Sequence, residues 1–151
     1  MWGQWKFYWT NGSLKHKFEY KIICDSCYLN QGMSFDKNGA LNRQKSNFYT
    51  VKYQDKARIN EKIKFLFKYN KMNKNSIVEL FISSEIDKNF CDLDNKNYII
   101  SPFKEDSIIA NIGYSSKGHK NIRGFIKEYL PQNDWKIPYR IVYVDIPLEI
   151  Y

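Results

Sequence analysis

Residues 4–24 read QWKFYWTNGSLKHKFEYKIIC, and this stretch predicts the fold more clearly than any other part of the chain. Asn11-Gly12 favours a two-residue type I′ turn, because both residues readily adopt the positive φ angles that this turn requires. The flanking strands would then form a hairpin with a fixed register. The predicted cross-strand pairs are Thr10 with Ser13, Trp9 with Leu14, Phe7 with His16, Trp5 with Phe18 and Gly3 with Tyr20.

Alternation of side chains along each strand divides this hairpin into two unlike faces. One face is aromatic and collects Trp5, Phe7, Trp9, Leu14, His16, Phe18, Tyr20 and Ile22. The other is basic and collects Lys6, Tyr8, Lys15, Lys17, Glu19 and Lys21. A two-stranded hairpin is barely stable alone, so we expect later segments to cover the aromatic face. The basic face would then remain in solvent.

The amino-acid composition indicates a folded, basic protein. Its 151 residues suit one domain spanning 1–151, and a 17% aromatic content argues against disorder. The formal net charge of +8 favours an anionic partner, although only four of the 24 basic residues are Arg, which planar bidentate recognition prefers. No stretch resembles a signal peptide or a membrane span, so we expect a cytoplasmic protein with no membrane contact.

Three cysteines, Cys24, Cys27 and Cys91, form an odd set that argues against a disulfide framework. The spacing of the first two is compatible with a zinc knuckle or a redox pair, but a structural zinc site needs four ligands, and only Cys91, His16 and His119 could complete it. We expect reduced thiols. Asp92-x-Asp94 lacks the glycine and the final glutamate of a calcium loop. The sequence therefore predicts neither metal nor cofactor.

A short pattern occurs twice, as Tyr8-x-x-Asn11-Gly12-x-Leu14 and Phe35-x-x-Asn38-Gly39-x-Leu41. Residues 3–20 resemble the MORN repeat family, in its bacterial antitoxin-component-like variant, and residues 33–41 resemble it more loosely. The matching positions are Gly3, Trp5, Tyr8, Asn11, Gly12, Leu14 and Tyr20, whereas Lys21 stands where the family has glycine. The resemblance implies a meander of hairpins that contacts proteins or lipids without catalysis.

Residues 25–32 are predicted to form a loop after the hairpin, and further strands are predicted downstream of that loop. Residues 47–53 form a third strand, residues 55–61 a helical turn or loop, and residues 62–69 a strand that alternates apolar side chains with lysines. Additional strands are expected at 76–83, 98–101, 107–114 and 139–146, the last of them inside a sheet. Apolar residues at helical spacing over 119–130 predict the main helix, which Pro131 ends. The predicted fold is α+β, mostly antiparallel β with one main C-terminal helix.

Few residues of the sequence are suited to catalysis. A metal-independent ribonuclease could use His119 as general acid or base, with Lys117, Arg123 and Tyr114 stabilising the phosphorane at a helix N-terminus. The alternative is a surface turn with a solvated histidine. The sequence contains no Gly-rich phosphate loop and no paired-histidine metal motif.

Binding has more support, because Tyr8 lies among lysines on the hairpin, a mixture that single-stranded nucleic acid exploits. The predicted binding residues are Lys6, Tyr8, Lys15, Lys17, Lys21, Lys62, Lys64 and Lys68. We therefore expect a small, non-enzymatic binding protein, an inhibitor or accessory factor in a defence, anti-defence or toxin–antitoxin setting. Its expected partner is another protein or a ribonucleoprotein, with RNA as a further candidate and the ribonuclease toxin as the alternative function.

Overall fold

The computed structural model describes residues 3–131 and 137–151, which form eleven strands and one short 3-10 helix, Arg43–Lys45. The strands are β1 Gly3–Tyr8, β2 Leu14–Ile23, β3 Ser26–Ser34, β4 Tyr49–Lys52, β5 Lys56–Ala57, β6 Ile63–Tyr69, β7 Ile77–Ile82, β8 Ile99–Pro102, β9 Ser107–Ile112, β10 Gly118–Tyr129 and β11 Arg140–Ile150. They build three sheets, ordered β1-β2-β3, β4-β6-β9 and β5-β11-β10-β7-β8. All pairings are antiparallel except that of β5 with β11.

The main core lies between the two sheets β4-β6-β9 and β5-β11-β10-β7-β8. Along β6 the residues Ile63, Phe65, Phe67 and Tyr69 are buried, and the lysines between them are exposed, which confirms the predicted alternation. Phe65 and Phe67 meet Val78, Ile126 and Val142 from the facing sheet in one apolar cluster. This sandwich holds the largest buried side chains of the described residues.

The predicted C-terminal helix is wrong, and with it the α+β class. Residues 118–129 form strand β10, which pairs with β11 on one side and β7 on the other. Ile122 and Ile126 face the main core, whereas Phe125 belongs to a second cluster on the opposite face of the sheet. A strand buried on both faces carries apolar residues at both parities, so its sequence also satisfies the helical spacing.

Strand β11 lies inside its sheet, as predicted, but continues beyond Pro147 to Ile150. Alternate residues of β11 turn their backbone groups away from β10, as shown by the Glu149 amide, which donates to Asp55 O at 2.8 Å. Pro147 has the same parity as Glu149, so its missing N–H falls on the side that has no strand partner there. The proline therefore costs no ladder hydrogen bond.

The hairpin register agrees with the prediction through most of β1, with Gly3 opposite Tyr20, Trp5 opposite Phe18 and Phe7 opposite His16. The turn does not. The Gly12 amide donates to Trp9 O at 2.9 Å, Gly12 has φ 83°, and Asn11 keeps a negative φ. A type I turn followed by a left-handed glycine therefore replaces the type I′ turn, and a bulge next to Tyr8 absorbs the extra residue.

The duplicated sequence pattern forms the same turn twice. The Gly39 amide donates to Asp36 O at 2.9 Å with φ 86° at Gly39, matching the geometry at Gly12. The two turns contact each other, because Trp9 Nε1 donates to Phe35 O and Asn11 Nδ2 donates to Lys37 O, both at 3.1 Å. Residues 35–41 thus cover Trp9 and secure the tip of the hairpin.

Side chains of β3 join the N-terminal sheet to the open edge of β11. Asn30 is fully buried at a bulge of β3. Its side-chain amide forms the two hydrogen bonds that a neighbouring strand would form with Tyr143: Nδ2 donates to Tyr143 O at 2.9 Å, and Oδ1 accepts from Tyr143 N at 2.7 Å. The Tyr28 hydroxyl donates to Ile141 O at 2.7 Å, and burial raises the pKa of Tyr28, so it stays protonated. The loop predicted at residues 25–32 is therefore wrong, because these residues lie in strand β3 and its preceding turn.

A disulfide links Cys24 to Cys91, which corrects the expectation of reduced thiols. It attaches the β2–β3 turn to the long segment 83–98, and the Cys24 amide also donates to Asn89 O at 2.7 Å. Ile86 and Phe90 of this segment cover Phe125 on the outer face of the five-stranded sheet. Since 67 residues separate the two cysteines, sequence spacing gave no indication of the pair.

Candidate protein-binding surface

The N-terminal sheet presents an apolar surface to solvent, which we call the aromatic face. Trp5, Phe7, Ile22 and Leu29 are exposed over 39, 45, 40 and 46% of their surface. They belong to one side of three adjacent strands, because Trp5 lies opposite Phe18, Tyr20 opposite Leu29 and Ile22 opposite Cys27. Contiguous exposed apolar surface of this kind marks interaction sites in soluble proteins.

Ring contacts hold the centre of the aromatic face in place. Phe18 stacks on His16 with ring centroids 5.4 Å apart, and Phe7 packs against Phe18 at 5.6 Å. The Phe18 ring lies over Gly32 of β3, where a β carbon would come within 3.1 Å of it. His16 Nδ1 is also 3.0 Å from the Ser34 hydroxyl. These contacts order the surface before any partner arrives, which lowers the entropic cost of binding.

The aromatic face carries no Lys, Arg, Asp or Glu. Its positions, read from the strand register, are Gly3, Trp5, Phe7, His16, Phe18, Tyr20, Ile22, Cys27, Leu29, Gly32 and Ser34. In a chain with a formal net charge of +8, the lysines of this sheet lie on its other side or at its turn. Depletion of charge and enrichment in aromatic residues are typical of the centre of protein interfaces.

The expectation that later segments bury this face holds only at Trp9 and is wrong for Trp5, Phe7 and Ile22, because the opposite face packs on the body. There Gln31 Oε1 accepts from the Tyr49 amide at 2.9 Å, and Gln31 Nε2 donates to Glu19 at 3.1 Å. A cavity of about 170 Å³ lies beside these groups, lined by Gln4, Lys17, Glu19, Gln31, Met33, Phe48 and Tyr49. The polar face therefore packs on the body at Glu19 and Gln31, which are hydrogen-bonded there, whereas Gln4 and Lys6 on the edge strand are exposed.

The four lysines predicted on the hairpin share its polar face, whereas the bulge puts Tyr8 opposite Leu14. Lys6 lies opposite Lys17, and Tyr8 is exposed over 59% of its surface. Lys21 pairs with Glu19 at 3.8 Å, and the Lys15 ammonium lies 4.5 Å from the centre of the Trp9 ring. Two of the five residues are thus occupied within the fold.

Lys64 and Lys68 lie together on the outer face of β4-β6-β9, and Lys62 directly precedes this face; we call it the lysine face. The register adds Lys52 of β4, which lies opposite Leu66. The other outward positions are Thr50, Ser107, Ile109 and Asn111, so the face bears no carboxylate. Among the described residues, none of these four lysines forms an ion pair.

The residues of the ribonuclease hypothesis are only partly assembled. Tyr114 and Arg123 line one cleft, but Lys117 and His119 are exposed and do not belong to its lining. Residues 118–129 are a strand, so the helix N-terminus expected to hold an anion does not exist there.

The predicted binding residues include neither Leu29 of the aromatic face nor Lys52 of the lysine face. Leu29 belongs to residues 25–32, which predict a loop because they show no clear alternation of apolar and polar side chains. The indication that could have found Lys52 was its parity within the predicted strand 47–53.

Comparisons with known proteins add no relative: no family model matches this chain, and no curated protein matches it in sequence. The resemblance to MORN repeats stays a prediction. Within the part of the chain that the structure describes, no helix is long and apolar enough to cross a membrane.

Proposed function

We propose that this protein is a non-enzymatic binding protein whose N-terminal sheet docks a protein partner. The observation that carries the proposal is the exposed, uncharged aromatic face around Phe7, Phe18 and Leu29. Strand β1 is also the edge of its sheet, so a partner strand could add to it by backbone hydrogen bonds.

The chemistry of this face favours protein over nucleic acid. Single-stranded nucleic acid binds where stacking aromatics and cations follow one groove, and the aromatic face has no lysine or arginine on it. A second copy of the chain fits poorly, since each copy carries a formal net charge of +8. The expected partner surface is apolar at its centre and acidic at its rim, where it would meet Lys6, which is exposed on the edge strand β1.

Changing two exposed residues of the aromatic face, Phe7→Ser with Leu29→Ser, should remove partner binding without unfolding the protein. Both side chains are about half exposed, so their loss should cost about 1 kcal/mol or less of stability. Binding should fall about tenfold or more, because buried apolar anchors dominate interfaces. The measurement is capture of a nuclease-resistant partner from native extract, quantified against urea unfolding of the same variants.

A matched control is Ile109→Ser, since Ile109 is 49% exposed but lies on the lysine face. Capture by this variant should equal that of the unmodified protein. Equal capture by all variants, or loss of the partner on nuclease treatment, would contradict the proposal.

The lysine face supports a second candidate function, contact with an RNA backbone, which is separate from the protein contact of the aromatic face. Lys64 and Lys68 lie four residues apart in β6, about 13 Å along the strand, with Lys52 between them on β4. A merely solvated face would mix both charge signs, whereas this one has lysines alone. A surface of this kind binds the phosphate groups of an RNA backbone without specificity for the base sequence.

Replacing Lys52, Lys64 and Lys68 with Gln should weaken binding to a short single-stranded RNA and flatten its salt dependence. The slope of log K against log salt should fall in magnitude by about 2, since each phosphate contact contributes about 0.7. The measurement is fluorescence anisotropy at salt concentrations from about 50 to 200 mM, the range over which phosphate contacts of this kind weaken. The matched control replaces Lys6, Lys15 and Lys17 with Gln. Equal losses of RNA affinity in the two variants would mean that binding depends only on the overall charge of the protein and would contradict a site on the lysine face.

Location and pathway remain predictions. The cytoplasmic placement expected from the sequence must accommodate the Cys24–Cys91 disulfide, because disulfides persist mainly in oxidising compartments. The small size and lysine-rich composition of the chain support a role as an inhibitor or accessory factor in defence, anti-defence or toxin–antitoxin systems.

A further inference from the structure

A cleft of about 340 Å³ lies between the outer face of the five-stranded sheet and the segment 83–98. Its floor belongs to one face of three adjacent strands, as the register shows: Phe81 of β7, Phe125 and Lys127 of β10, and Ile141 and Tyr143 of β11. Leu93 and Tyr98 of the segment 83–98 form its wall. The volume falls within the range of small-molecule sites.

The side chains of this cleft are accessible and held in place. Phe125 is buried at the floor, and the other floor and wall residues are half-buried, so each offers surface to a ligand. The Tyr98 hydroxyl donates to Leu93 O, and the Cys24–Cys91 disulfide anchors the chain two residues before Leu93. The wall is therefore formed before a ligand arrives, which lowers the entropic cost of binding.

Aromatic rings dominate the cleft. Phe81 and Phe125 stack with centroids 5.0 Å apart, and Tyr98 meets both rings edge-on at 5.9 and 5.3 Å. Tyr143 meets Phe125 edge-on at 6.3 Å. Stacked and edge-on contacts of this kind are the ones that an additional planar ring would continue.

Lys127 directs its charge into this cleft. Its ammonium lies 5.0 Å from the centre of the Phe81 ring and 5.1 Å from that of Phe125. Glu79 lies opposite Lys127 in the β7–β10 register, yet Lys127 forms neither an ion pair nor a side-chain hydrogen bond with any described residue. Its N–H donors are therefore available to an anion, while the ring faces stabilise its charge.

The placement of the two charges favours an anionic ligand with a single charge. A cationic ligand would compete with the Lys127 ammonium for the same ring faces. Asp94, the one carboxylate among the described lining residues, is exposed and so is screened by solvent. A second negative charge on the ligand would meet Asp94 at the rim of the cleft.

We propose that this cleft binds a small planar aromatic monocarboxylate, with its carboxylate on Lys127 and its ring against the cluster of Phe81, Tyr98 and Phe125. Only binding is proposed, without a reaction. None of the lining residues belongs to the aromatic face, so this proposal is independent of the proposed function.

The test is calorimetric titration of the whole protein with three ligands that share one ring system: naphthoate, naphthylmethanol and naphthylmethylamine. Naphthoate should bind about tenfold more tightly than the neutral alcohol, since it adds a hydrogen bond between charged groups. The amine should bind weakest, because Lys127 repels it. Absence of naphthoate binding would overturn the proposal, as would an amine that binds as tightly as naphthoate.

Lys127→Met should weaken naphthoate binding about tenfold and leave binding of the alcohol nearly unchanged. Lys127→Arg keeps the charge and should bind naphthoate nearly as well as the unmodified protein. The matched control is Lys88→Met, since Lys88 is an exposed lysine of the segment 83–98 that lies outside the lining. Equal losses of naphthoate affinity in Lys127→Met and Lys88→Met would overturn the site.

A measurement on the unmodified protein locates the ligand without any substitution. Nuclear Overhauser effects should connect the naphthyl protons of bound naphthoate with the methyl groups of Leu93 and Ile141, which lie on the wall and the floor of the cleft. Contacts with the methyl groups of Ile22 and Leu29 instead would place naphthoate on the aromatic face and overturn the proposal.

Discussion

Gly124→Ala should destabilise this protein by about 3 kcal/mol or more, because no room exists for a methyl group between β10 and β7. A β carbon at Gly124 would lie 2.0 Å from Phe81 O, 3.1 Å from Phe81 C and 3.2 Å from Ile82 Cα. All three atoms belong to the backbone of a strand inside the sheet. No side-chain rotation relieves the clash, so the β7–β10 pairing itself must separate.

Urea unfolding of this variant measures the effect, with Gly113→Ala as its control. A β carbon at Gly113 would approach Glu61 O only to 3.4 Å, an ordinary contact. We expect the control to change stability by about 1 kcal/mol or less. If Gly124→Ala proved as stable as Gly113→Ala, the pairing of β7 with β10 would be wrong.

Glu128→Gln should cost about 3–5 kcal/mol, the usual loss when one partner of a buried ion pair is removed. Glu128 is fully buried, and its Oε2 accepts from Arg140 Nη2 at 2.8 Å and from the Tyr69 hydroxyl at 3.0 Å. Its Oε1 accepts from the Met72 amide at 2.7 Å. The glutamine would leave Arg140, whose side chain is 10% exposed, without a counter-charge and would turn an amide N–H₂ toward existing donors.

The exposed pair Lys56–Glu149 provides the comparison, since its charged atoms lie 3.8 Å apart in solvent. Glu149→Gln should change the free energy of unfolding by about 1 kcal/mol or less. Thermal and urea unfolding of both variants give the two values. A similarly small cost for Glu128→Gln would mean that Glu128 is not enclosed by Arg140, Tyr69 and Met72.

Local patterns predicted the elements whose two faces have different environments. The alternation of Ile63, Phe65 and Phe67 with lysines identified β6, and the Asn11-Gly12 turn set the register of β1 with β2. Both are properties of neighbouring residues, so they can be inferred without knowing the tertiary structure.

The features of the fold that the sequence did not predict depend on contacts between residues far apart in the chain. Strand β10 is apolar on both faces because sheets or loops cover both, and its helical spacing is a by-product of that double burial. The packing of the N-terminal sheet depends on Asn30, whose amide binds the backbone of Tyr143 in a strand 113 residues away. Together with Tyr28 and Gln31, Asn30 holds the polar face of the N-terminal sheet against the body.

Photo-crosslinking at Leu29 tests the proposed partner surface most directly. A benzophenone amino acid replacing Leu29 projects from the aromatic face, and the same replacement at Ile109 projects from the lysine face. We predict that irradiation in native extract crosslinks position 29 to one nuclease-resistant protein with an acidic surface, and that position 109 gives no such product. Equal products at both positions, a dimer of this chain, or no adduct at position 29 would contradict the account.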